Sequence, residues 1–157
     1  MILNIILVIV SFAFMEFVAW SNHKFVMHGF LWKWHADHHV NDNKKSQTEL
    51  YNPGFEKNDY FLLVYAVPAI VLLLLGFYSS NFVLIAIGIG ISLYGLTYFT
   101  IHDVMIHQRL KIRFLTHPKS KYLQAVIEAH LAHHRGKNVK DFNNYGLLIF
   151  QPRFLKK

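Results

Sequence analysis

The chain has 157 residues, eleven histidines, no cysteine and a formal net charge of +7. That length suits one domain better than two, and the lack of thiols excludes a disulfide framework, a thiolate metal site and a haem–thiolate centre. Apolar residues make up 54% but are gathered into long runs, which excludes an ordinary soluble globule, and the basic residues flank those runs in a way that disfavours nucleic acid as a partner.

The first run, "MILNIILVIVSFAFMEFVAW", carries only Asn4 and Glu16 as strongly polar positions. With no basic n-region and no A-x-A-like site, it reads as a retained span over about residues 2–20 rather than a cleaved signal. "HKFVMH" and "HADHH" follow directly, holding His23 and His28, then His35, His38 and His39. The second run covers about residues 60–77 and the third about 82–101, each near the length that crosses a hydrocarbon core. Only "YSSN", Tyr78 to Asn81, joins them, which predicts a tight helical hairpin. Pro68 and Gly76 are tolerable in membrane helices, and Gly88, Gly90 and Gly95 are expected to let helices approach closely. "HDVMIH" comes next with His102 and His107, then "HLAHH" with His130, His133 and His134.

All sixteen Lys and Arg residues lie between Lys24 and Lys57 or from Arg109 onward. The positive-inside rule therefore puts the N-terminus and the hairpin tip outside and every histidine cluster on the cytoplasmic face.

The pattern H-x4-H followed by H-x2-H-H occurs twice, after the first span and after the third. On a helix, positions i, i+3 and i+4 share a face, so each H-x2-H-H box projects its three rings together. Its i, i+4 pair suits one metal and its middle histidine can reach a second. The i, i+5 pairs diverge by about 140° at roughly 100° per residue, which sends their members to different metals or to opposite sides of one pocket. Ten imidazoles exceed what one zinc, iron, copper or nickel ion needs, so two metals is the economical reading. His117 has no partner at ligand spacing and reads as an ordinary polar residue.

Asp37, Asp103, Glu128 and Glu16 lie near the boxes and are expected to orient ligating rings. Asp42, Glu49, Glu56, Asp59 and Asp141 read as solvated surface acids. Trp32, Trp34, Phe25, Phe30, Tyr94, Tyr98 and Phe99 suit either a polyene channel or an interfacial aromatic belt. "QRLKIR" and "RGKNVK" suit an acidic protein partner, anionic headgroups or plain charge bias. The final "GLLIFQPRFLKK" is too short to span, and either lies along the interface or caps the site.

Taken together, "HKFVMHGFLWKWHADHH", "NDYF", "YFTIHDVMIHQRLKIR" and "AHLAHHRGK" resemble the β-carotene hydroxylases of the bacterial carotenoid pathway, within the fatty acid hydroxylase and sterol desaturase superfamily. The resemblance runs from the first span to "YGLLIFQP". It implies an all-α integral membrane protein, one hydroxylase domain over 1–157, with about three transmembrane helices and cytoplasmic histidine-bearing helices forming a di-metal site. It further implies a non-haem di-iron monooxygenase of the bacterial inner membrane. O2 and two electrons would place a hydroxyl at C3 of a β-ionone ring, turning β-carotene into zeaxanthin through cryptoxanthin. Electrons would come from an external donor, commonly ferredoxin with its reductase. His23, His28, His35, His38, His39, His102, His107, His130, His133 and His134 carry over as the metal-binding, catalytic set.

A related lipid hydroxylase, desaturase or carotenoid ketolase would share this architecture. A membrane metal transporter is a different class, and it should place ligands at mid-membrane. The interiors of the three runs hold no histidine.

Overall fold

The computed structural model describes residues 1–44, 54–110, 112–136 and 143–156, and among them it contains helices and turns but no strand. Helix α1 (Ile2–Ser21) passes without a break into a π-helical segment, π1 (Asn22–Phe30). Non-helical backbone at Gly29 ends π1 and turns the chain into α2 (Trp32–Lys44). A 3-10 turn (Lys57–Leu62) leads into α3 (Leu63–Tyr78). The hairpin then returns as α4 (Phe82–Tyr98), which passes into a second π-helical segment, π2 (Phe99–Ile106). One turn of helix, α5 (Arg113–Thr116), precedes α6 (Lys121–His134).

Three helices are long and apolar enough to cross a membrane: Ile2–Phe30, Lys57–Tyr78 and Phe82–Ile106. The chain is an all-α membrane protein. Its spans overrun the apolar stretches at their histidine ends, because the helices continue as π1 and π2. The hairpin turn falls where the sequence places it. Asn81 caps α4 by accepting hydrogen bonds from the backbone N–H groups of Val83 and Leu84 at 3.0 and 3.3 Å, which satisfies two of the donors a helix start leaves open.

Helix α4 packs against both α1 and α3. Small residues make that possible. A Cβ on Gly88 would lie 2.8 Å from Leu73 Cγ on α3, and one on Gly90 would lie 2.6 Å from the Val8 carbonyl oxygen and strike Ser11 on α1. Gly95 departs from the expectation of close approach: a Cβ there would meet nothing within 4 Å. Tyr94, fully buried, anchors the core with Met15, Ala19, Tyr65, Ala69 and Ile91.

Inside that core Glu16 accepts three hydrogen bonds. They come from the Tyr94 hydroxyl at 2.7 Å and from the N–H groups of Leu148 and Ile149 at 2.8 and 2.9 Å. A carboxylate in a membrane span is costly unless satisfied, and here its partners tie the C-terminal segment to α1 and α4. Glu16 therefore anchors that segment and orients no histidine directly.

Gly90→Leu is expected to force α1 off α4 at a cost of about 1–3 kcal/mol, read as a lower melting temperature in detergent. Gly95→Ala should melt within error of the parent.

Candidate metal centre

The two π segments set the geometry. A π-helix closes i→i+5 hydrogen bonds, so residues five apart stack over one another. The His107 N–H donates to the His102 carbonyl at 2.9 Å, joining the two histidines of one H-x4-H pair through that bond. Leu31 N–H to Val26 carbonyl, at 3.0 Å, closes the same kind of turn at the end of π1. The paired rings consequently lie side by side, with centroids 5.0 Å apart for His23 and His28 and 4.5 Å for His102 and His107. This corrects the expected 140° divergence: the two rings of each pair lie beside one another, because the helix there is not an α-helix.

Two groups of imidazoles result. His23, His28, His35, His39 and His133 each offer a ring nitrogen within 4.8 Å of the others, and so do His38, His107, His130 and His134. Each H-x2-H-H box is shared between them. His35 and His39 enter the first group while His38 enters the second; His130 and His134 enter the second while His133 enters the first. The groups abut, with the rings of His39 and His134 stacked at 4.3 Å. His102 belongs to neither group by this distance. Its ring lies 4.8 Å from that of His130 and 5.3 Å from that of His38, on the edge of the second group. His117 is exposed, with Nδ1 2.9 Å from the Thr116 hydroxyl.

Hydrogen bonds at the outer nitrogens fix the inner ones as donors to a cation. His23 Nδ1 donates to the Tyr145 carbonyl at 2.9 Å, His133 Nδ1 to the Asn143 carbonyl at 2.6 Å, and His35 Nδ1 to Asn58 Oδ1 at 2.6 Å. With the proton held at Nδ1, Nε2 carries a lone pair. Yet His23 Nε2 faces His35 Nε2 at 3.2 Å, and His28 Nε2 faces His133 Nε2 at 2.9 Å. In the second group His38 Nδ1 is taken by Glu56 at 2.9 Å, while its buried Nε2 meets no hydrogen-bond partner. Lone pairs converging in a buried site suit a cation between them. Burial, reinforced by neighbouring imidazoles, holds His35, His38, His130 and His134 well below the usual histidine range. Burial likewise brings His133 down to about 4. Neutral rings are the form that ligates. The donor set fits one soft-to-borderline metal ion in each group.

Among the acids, Asp103 performs the expected task, lying 3.3 Å from His102 Nδ1. Arg109 bridges it to Asp59, donating from Nη2 to Asp59 Oδ2 at 2.7 Å and from Nη1 to Asp103 Oδ1 at 3.2 Å. Asp37 instead accepts from the backbone N–H of His38 and of Lys57, and Glu128 is half-buried along α6. Two acids read as surface groups prove structural: Glu56 is buried against His38 and Asp59 is paired with Arg109. The sequence reading assigns no role to Asn58 or to the carbonyls of Asn143 and Tyr145. Their only trace in the sequence is position, in "EKND" ahead of the second span and "FNNYG" after the last box. Glu49, Asp141, the side chain of Asp42 and the basic stretch 137–140 lie outside the described residues.

Of the aromatics, Tyr98 and Phe99 border a cavity of about 260 Å³ against His102, together with Met27 and Phe61. Phe25 and Phe30 are exposed, and Trp32 packs on His28 and His39.

The fatty acid hydroxylase family model matches residues 8–153. The β-carotene hydroxylase of Pantoea ananas is 35% identical over 149 residues, covering 95% of this chain and 78% of that protein. The β-carotene hydroxylase of a Paracoccus species is 35% identical, covering 95% and 85%. The chloroplastic β-carotene 3-hydroxylase 1 of Arabidopsis thaliana is 34% identical over 140 residues, covering 86% of this chain and 40% of the plant protein. No solved structure matches.

Removing the acceptor from His38 should loosen the second group. Glu56→Ala is expected to weaken metal retention roughly tenfold to a hundredfold, measured as bound metal after equilibration against a graded chelator. Glu56→Gln, which still offers an oxygen, should retain most of it.

Proposed function

This chain belongs to the fatty acid hydroxylase family, and we propose that it is a membrane non-haem di-iron monooxygenase that hydroxylates C3 of the β-ionone rings of β-carotene, giving zeaxanthin by way of cryptoxanthin. The whole of 1–157 acts as one membrane-embedded hydroxylase domain. The main support is that two abutting groups of imidazoles, buried apart from the half-buried His28, occur in a chain whose relatives are named β-carotene hydroxylases.

An aliphatic ring C–H bond does not yield to acid–base side chains, so the oxidising power must come from a cofactor. A pair of iron ions would supply the activation of O2, with electrons from an external donor such as ferredoxin and its reductase. The chain's residues do the rest. His23, His28, His35, His39 and His133 hold one ion; His38, His107, His130 and His134 hold the other. His102 joins the second group from the cavity side as the tenth member. Asn58, Glu56 and the carbonyls of Asn143 and Tyr145 keep the rings oriented. Burial of the histidines keeps bulk water from the reacting centre. The cavity against His102 admits an apolar ring. The charge distribution favours insertion in the bacterial inner membrane with the N-terminus outside and the histidines at the cytoplasmic face, the face that an acidic ferredoxin and its reductase would meet.

Expression in a cell that accumulates β-carotene should yield zeaxanthin, scored by pigment chromatography; unchanged pigment beside iron-loaded protein would overturn the proposal. His39→Ala and His134→Ala should each lower turnover roughly a hundredfold or more while the protein still inserts. His117→Ala should leave turnover unchanged.

A further inference from the structure

The cavity beside His102 does not end at the histidines. Leu62 and Tyr65, which line it, also line a second hollow of about 250 Å³ that continues up the crevice between α3 and α4, past Ala66 and Ala69 to Ile91. Gly95 sits in its wall, with open space where a Cβ would stand. The neighbouring glycines on α4 are needed for helix contact; this one is not. Ser92 also lines the hollow, but its hydroxyl donates to the Gly88 carbonyl at 2.8 Å, so it offers an apolar ligand no unsatisfied donor. From Ile91 to His102 the crevice follows α4 and then π2 for eleven residues, at most about 16 Å at 1.5 Å per residue.

We propose that the α3–α4 crevice is the polyene-binding groove, which seats the rod of the carotenoid with its terminal ring in the cavity against His102 and with Gly95 as the residue that keeps the groove open. This rests on the function proposed above. The two hollows adjoin at Leu62 and Tyr65 and run along the helices to the histidines, a course that suits a linear, rigid hydrocarbon dissolved in the bilayer. The groove is shorter than the extended pigment, so the far ring stays in lipid, and each molecule must leave and re-enter to present its second ring. The paired Asp59 and Arg109 also line the cavity and set a polar limit that an apolar ring does not cross.

The test fills the groove from either wall in the full-length, iron-loaded protein. Gly95→Leu and Ala66→Leu are compared with Leu93→Phe, an exposed position on α4 outside the groove. Equilibrium binding of β-carotene in detergent and the rate of its hydroxylation are measured, with iron content as the check on folding. We expect both groove variants to bind β-carotene at least tenfold more weakly, Gly95→Ala to fall between them and the parent, and Leu93→Phe to match the parent. An iron-loaded Gly95→Leu or Ala66→Leu protein that binds and converts β-carotene like the parent would overturn the groove, leaving the crevice to lipid acyl chains alone. If the parent itself neither binds nor converts β-carotene, the proposed function fails instead.

Discussion

The site depends on a change of helical pitch. Where α1 and α4 reach their histidines, the backbone widens from i→i+4 to i→i+5 bonding, and residues five apart come to lie over one another. On an α-helix, His23 and His28 would point well apart, as would His102 and His107. On π1 and π2 both members of each pair reach the same neighbourhood. The spacing of the H-x4-H motif is thus the spacing of the helix that carries it.

The H-x2-H-H boxes work differently. They sit on regular α-helices, α2 and α6, where the outer two histidines share a face and the middle one points aside. Because α2 and α6 meet with their boxes face to face, the middle ring of each fits into the group built on the other. His38 completes the group of His130 and His134, and His133 completes that of His35 and His39. Neither helix can form a full group alone. This interlocking makes the two halves of the sequence repeat interdependent, and it brings His39 and His134 into stacking contact at the seam.

Much of this was legible in the sequence, for physical reasons that differ from part to part. Apolar runs show spans because a bilayer demands them, and "YSSN" shows the hairpin because two spans so close leave no other path. The clustered histidines show where the two imidazole groups gather. What stayed hidden was the winding: nothing in "HKFVMH" or "HDVMIH" separates a π turn from an α turn by propensity. The repeat of the five-residue interval at both span ends was the available clue. In the sequence Glu56 looks like a surface acid because its partner His38 is distant along the chain, and burial depends on tertiary packing. Proximity along α1 suggests that Glu16 serves the histidines, whereas its bonds run to Tyr94 and the tail. Through that tail it still matters to the site, since the carbonyls of Asn143 and Tyr145 hold His133 and His23. In the sequence Gly95 is indistinguishable from the packing glycines, and only the space around it shows otherwise.

The arrangement makes one demand that position-resolved metal data can meet. In crystals of the iron-loaded protein, anomalous difference density collected on both sides of the iron absorption edge should show two separate peaks. One should lie among His23, His28, His35, His39 and His133, and the other among His38, His107, His130 and His134. A single peak shared across the seam, or a first peak bound by only one of His23 and His28, would contradict the account.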